Sequence, residues 1–139
     1  MAWCLDASVA VAAIVASPQR PAARRFLLET LADDDPLVAP PLLLAETTAV
    51  LRRFVHTQAI LHQDALAALS DLLDMPIRVV QRPAVYLNAL ELAQKLGQGR
   101  AYDVQYLAVA QMEDCPVVTL DRGLYESART LGIATRLLT

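Results

Sequence analysis

The sequence predicts a three-layer α/β domain built on a short-stranded parallel sheet. Three observations predict it. Short apolar runs of strand length recur along the chain. Stretches of helical character lie between every two of them, and helices between successive strands imply right-handed crossovers and parallel pairing. No repeat, low-complexity tract or linker breaks the pattern, so residues 1–139 read as one domain of ordinary size.

Residues 2–5 read as a short buried strand that ends at Asp6. Residues 7–16 form a helix, stopped by Ser17-Pro18. Residues 20–32 form a second helix, with Pro21 in its first turn and Phe26, Leu27 and Leu31 on its apolar face. Asp33-Asp34-Asp35-Pro36 breaks it and reads as a solvated loop. Leu37-Val38-Ala39 is the second strand, closed by Pro40-Pro41. The spacing of Leu43, Thr47, Val50, Leu51 and Phe54 predicts a helix over 42–56, and Leu66, Leu69, Leu72 and Leu73 predict another over 62–74. Ile77-Arg78-Val79-Val80 is the third strand. A helix over 83–96 starts at Pro83 and ends at Gly97. Beyond the loop Gly97-Gln98-Gly99-Arg100 come a helix over 102–113, a strand over 117–120, a helix over 122–131 stopped by Gly132, and a last strand over 133–137.

Composition narrows the function. Apolar residues make up 55% of the chain, ample for a core. No uncharged apolar run approaches the ~18 residues of a membrane span. No basic segment, apolar stretch and cleavage site open the sequence, so a cytoplasmic protein is expected. The net charge of −3 argues against a generic nucleic-acid binder but not against a nuclease, because a bound metal cancels its acids locally. Arg24-Arg25 and Arg52-Arg53 are the visible basic clusters, and each reads as a solvated helix face before it reads as a phosphate contact. Cys4 and Cys115 lie in or beside strands as buried core thiols, with no C-x-x-C pair to suggest zinc. His56 and His62 have no metal-ligand partner pattern. Gly97-Gln98-Gly99 lacks the spacing of a phosphate loop, and there is no Gly-x-Ser-x-Gly elbow.

Four acids remain: Asp6, Glu46, Asp103 and Asp121. Asp6 and Asp121 follow apolar strand runs, where open parallel sheets bind ligands. Each could instead cap the helix after it, and Asp103 could serve the start of the helix over 102–113. Glu46 is an acid inside a strongly apolar helix, which needs a partner or an ion if buried. Carboxylates gathered at one sheet edge repel one another unless a hard cation such as Mg²⁺ or Mn²⁺ sits between them. Ser8 and Thr119 place hydroxyls beside two of the acids, able to support them or to serve only as cap and strand residues. Arg100 and Arg122 adjoin two acids and read equally as phosphate contacts or as structural ion pairs.

The segments Leu5-Asp6-Ala7-Ser8, Ala39-Pro40-Pro41-Leu42-Leu43-Leu44-Ala45-Glu46, Arg100-Ala101-Tyr102-Asp103-Val104-Gln105-Tyr106-Leu107-Ala108 and Val118-Thr119-Leu120-Asp121-Arg122 resemble those of PIN-domain ribonucleases, in particular the VapC-type toxins of toxin–antitoxin pairs. The match runs through essentially the whole chain in the family's order. The resemblance implies a PIN-like α/β/α fold in which Asp6, Glu46, Asp103 and Asp121 hold Mg²⁺, with Mn²⁺ able to substitute, and Ser8 and Thr119 support the site. It implies hydrolysis of RNA to 5′-phosphate and 3′-hydroxyl ends, a homodimer, and a cognate antitoxin that covers the active-site groove.

Two other readings compete. An aspartate-nucleophile phosphohydrolase would place a second Asp two residues after the first, where this chain has Ser8. A non-catalytic PIN-like adaptor would use the acids only as helix caps. A phosphoprotein assay or phosphatase substrate screen separates the first, and isothermal titration with Mn²⁺ the second.

Overall fold

The computed structural model describes residues 1–139. Its five strands are each three residues long: β1 (Trp3–Leu5), β2 (Leu37–Ala39), β3 (Ile77–Val79), β4 (Val117–Thr119) and β5 (Thr135–Leu137). They pair in parallel throughout, in the order β3-β2-β1-β4-β5. Seven helices connect them: α1 (Ala7–Ile14), α2 (Arg20–Ala32), α3 (Leu42–His56), α4 (His62–Leu73), α5 (Pro83–Leu96), α6 (Val104–Glu113) and α7 (Arg122–Thr130). This is the three-layer α/β arrangement that the sequence predicts.

The strand order fixes where a ligand can sit. The chain leaves β1 toward β2 and β3, then returns across β1 to reach β4 and β5. The direction therefore reverses between β1 and β4, and the crevice beyond the carboxyl ends of strands at such a reversal is where open sheets bind ligands. Right-handed crossovers put the helices of the first leg on one face of the sheet and those of the second leg on the other. β1, at the centre, is apolar on both sides, and Cys4 and Leu5 are fully buried. α6 is apolar nearly all round, and Val104, Tyr106, Leu107, Ala108, Val109 and Ala110 are all buried. The Cys4 thiol donates to the Tyr106 carbonyl at 3.4 Å, fastening α6 across β1. Both cysteines are free and buried, and burial raises both thiol pKa values.

Element ends depart from expectation in places. The first helix stops at Ile14, not at 16, because Val15 turns extended and buries itself against Leu51, Ala65 and Ala68. The sixth helix starts at Val104, not at 102, which leaves Asp103 as its N-cap residue. The strands are shorter than their apolar runs, although single bonds extend the pairing: Val80 N–H donates to the Ala39 carbonyl at 2.8 Å, and Asp6 N–H to that of Val118 at 3.2 Å. Gly97 ends α5 in the left-handed conformation with φ 66°, which glycine adopts without a Cβ clash. α6 ends the same way on Asp114, φ 50°, one of the few side chains that tolerate it.

Candidate metal centre

Asp6 emerges from β1 onto the carboxyl edge at the reversal, and it is only 6% exposed. Its Oδ2 accepts from the Ser8 hydroxyl at 2.6 Å and from the Thr119 hydroxyl at 2.8 Å. Those hydroxyls in turn accept from the chain leaving β4: Leu120 N–H donates to Ser8 Oγ and Asp121 N–H to Thr119 Oγ1, both at 2.9 Å. Each hydroxyl spends its single proton on Asp6, so the 3.3 Å approach of Ser8 Oγ to Thr119 Oγ1 is a consequence of sharing an acceptor. The network joins the start of α1 to the exit of β4 through Ser8 and Thr119.

The capping alternative divides the acids. Asp6 occupies the N-cap position of α1 without making a side-chain cap bond; the nearby Ser8 N–H lowers its pKa but lies outside cap geometry. Asp103 at the start of α6 makes no side-chain cap bond either. Asp121 does cap: its Oδ1 accepts from Gly123 N–H at 2.8 Å and Leu124 N–H at 3.3 Å. Glu46 is half-buried, and its Oε1 accepts from the Tyr106 hydroxyl at 2.9 Å. Tyr106 is fully buried, and burial with the neighbouring charges pushes its pKa far up, so the hydroxyl keeps its proton and donates. Sequence reasoning did not single out this tyrosine. Its place three residues after Asp103, on the same side of a helix, is the signal that could have found it.

The electrostatics tie the four acids into one neighbourhood. Burial raises the Asp6 carboxyl pKa; the Ser8 and Thr119 bonds oppose it, and the Asp103 charge adds to it. Burial raises Glu46 as well, against the Tyr106 bond and with the charges of Asp103, Asp6 and Asp121. Asp103 is exposed as a residue, yet the protein around its carboxyl raises its pKa, Asp121 adds to the rise and Arg100 opposes it. No salt bridge reaches any of the four; the ion pairs of the chain join Met1 to Asp35 and Glu113 to Arg78 and Arg82.

No three of these side chains converge closely enough to hold one ion in the present rotamers. The expected close gathering around a single ion is therefore not realised atom by atom. Three of the four carboxylates commit an oxygen to protein donors. The donor set still fits a hard divalent ion. It consists of carboxylate oxygens only, one of them on a buried side chain with no counter-cation, and burial of an uncompensated charge is costly.

The other candidates lie apart from this constellation. Arg24 Nε donates to the Ala13 carbonyl at 3.0 Å, a structural use. Arg25, Arg52, Arg53, His56 and His62 are exposed. Arg100 and Arg122 are exposed and form no salt bridge, which removes the structural ion-pair reading for both.

The PIN domain family model matches residues 3–129. No curated protein matches the sequence significantly. Solved structures with the same fold include VapC20 of Mycobacterium tuberculosis, described as a Sarcin-Ricin loop cleaving toxin, at 19% identity over 91% of this chain and 95% of that one, TM-score 0.70. VapBC2 from Rickettsia felis, bound to a DNA fragment from their promoter, aligns over 100% of both chains at 16% identity and TM-score 0.73. VapBC-1 from nontypeable Haemophilus influenzae aligns over 99% of this chain and 98% of that one at 15% identity and TM-score 0.64. At these identities the likeness establishes the fold.

Proposed function

The chain belongs to the PIN domain family, and from that premise we propose that it is a Mg²⁺- or Mn²⁺-dependent endoribonuclease, a hydrolase that serves as the toxin of a VapBC-type toxin–antitoxin pair. The observation that carries the reading is the buried, ion-pair-free Asp6 at the sheet reversal, within electrostatic reach of Asp103 and Glu46. Residues 1–139 act as one nuclease domain.

Asp6, Glu46, Asp103 and Asp121 are the residues that would hold the ion, which would supply charge neutralisation at the scissile phosphate and activation of water near neutral pH. The chain's own groups do the rest. Ser8 and Thr119 fix the Asp6 carboxylate through Oδ2. Tyr106 fixes Glu46 through Oε1 and leaves Oε2 without a protein donor. Asp121 keeps Oδ2 free while Oδ1 caps α7. Arg100 and Arg122 neutralise phosphate charge beside the acids. No covalent enzyme intermediate is required. The phosphohydrolase alternative is weakened further, because Ser8 Oγ and Thr119 Oγ1 both donate to Asp6 and blunt it as a nucleophile.

The RNA substrate rests on the family and on the description of VapC20 as a Sarcin-Ricin loop cleaving toxin. The antitoxin partner rests on the likeness to VapBC structures. A homodimer is supported by Leu87 and Leu90, 66% and 67% exposed on α5. No helix is long and apolar enough to cross a membrane, and a cytoplasmic location accords with that.

Cleavage of labelled RNA with Mn²⁺ tests the reading. Asp6→Asn and Asp103→Asn are each expected to abolish cleavage, and EDTA to stop it in the parent until Mn²⁺ is restored. Full activity in both variants would end the proposal.

A further inference from the structure

A cavity of about 560 Å³ opens beside Asp103, lined by Gln98, Gly99, Arg100, Tyr102 and Asp103. It lies on the segment between α5 and α6, outside the hydrogen-bonded network around Asp6. Tyr102 is 64% exposed there, immediately before Asp103, whereas Tyr106 one turn later is fully buried. The Tyr102 ring has no aromatic partner and no cation over it. Arg100 forms no salt bridge, although its charge acts on Asp103. A Cβ built on Gly99 would meet nothing within 4 Å, so the loop there is open. An unstacked aromatic ring beside an unpaired arginine is the equipment single-stranded nucleic acid uses: the base lies on the ring and the phosphate on the cation.

We infer that this cavity is a subsite for one unpaired nucleobase of RNA next to the scissile phosphate, with Tyr102 as the stacking surface and Arg100 as the contact to the adjoining phosphate. The inference rests on the nuclease reading above and adds the residues that receive the base beside the cut. Stacking tolerates any base, so the subsite selects for single-strandedness before sequence. Tyr102 contributes binding and no chemistry.

Steady-state cleavage of a mixed-sequence single-stranded RNA with Mn²⁺ tests this, comparing the parent with Tyr102→Ala and Tyr102→Phe. Tyr102→Ala is expected to raise KM about tenfold with kcat within about twofold of the parent, the loss of one base–aromatic stack. Tyr102→Phe, which keeps the ring, is expected to match the parent. An unchanged KM in Tyr102→Ala, a loss confined to kcat, or an equal defect in Tyr102→Phe overturns the subsite. Absence of any RNA cleavage by the parent overturns the nuclease reading itself, and the subsite with it.

Discussion

At Asp121 one oxygen caps α7 by accepting from Gly123 and Leu124 N–H groups, and the other has no protein donor. Substitution separates the two roles. Asparagine caps as well as aspartate, so Asp121→Asn is expected to keep thermal stability within about 0.5 kcal/mol, whereas Asp121→Ala loses about 1 kcal/mol. If the charge also serves the metal, both variants lose cleavage. Normal cleavage by Asp121→Asn would reduce the residue to a cap. The same ambiguity is why the sequence could nominate these acids without sorting them: an aspartate between a strand and a helix looks alike whether it caps or binds. Only coordinates show that Asp6 turns to Ser8 and Thr119 instead. Tyr106 was hidden for a different reason, because a tyrosine within an apolar helix reads as core, which it also is.

Among elements, α3 and α6 meet over the sheet edge through the bond from Tyr106 to Glu46. Burial there raises the Glu46 pKa above its ordinary 4.5. The folded state therefore holds the proton more tightly than the unfolded chain. Glu46 favours folding when protonated, and this contribution is lost as pH rises through the raised value. Glu46→Gln cannot ionise. In EDTA, its melting temperature minus that of the parent is expected to grow from acid toward neutral pH, and saturating Mn²⁺ is expected to shrink it by stabilising the parent more. A difference independent of pH would show that the buried charge carries no penalty. Existence and order of the elements were legible from apolar runs and Pro, Gly and Asp punctuation. Their ends were less so: α1 stops early because Val15 finds a tertiary pocket against α3 and α4, a contact invisible to local periodicity.

At the scale of the molecule, the order β3-β2-β1-β4-β5 makes the rest possible, because it places the reversal between β1 and β4, where Asp6, Ser8, Thr119 and Asp121 meet. The sequence implied parallel strands but not that order, since three-residue strands joined by long crossovers carry no pairing information of their own. It implied four acids at one edge; their charges act on one another, yet their side chains do not close around a point in the present rotamers. On the proposed function, a bound cation would draw them together. Anomalous diffraction from crystals soaked in Mn²⁺ measures this directly. A manganese peak bonded to the carboxylates of Asp6 and Asp103, with Glu46 and Asp121 drawn toward it, is the predicted result. Manganese bound elsewhere on the surface, with Asp6 still held only by Ser8 and Thr119, would contradict it.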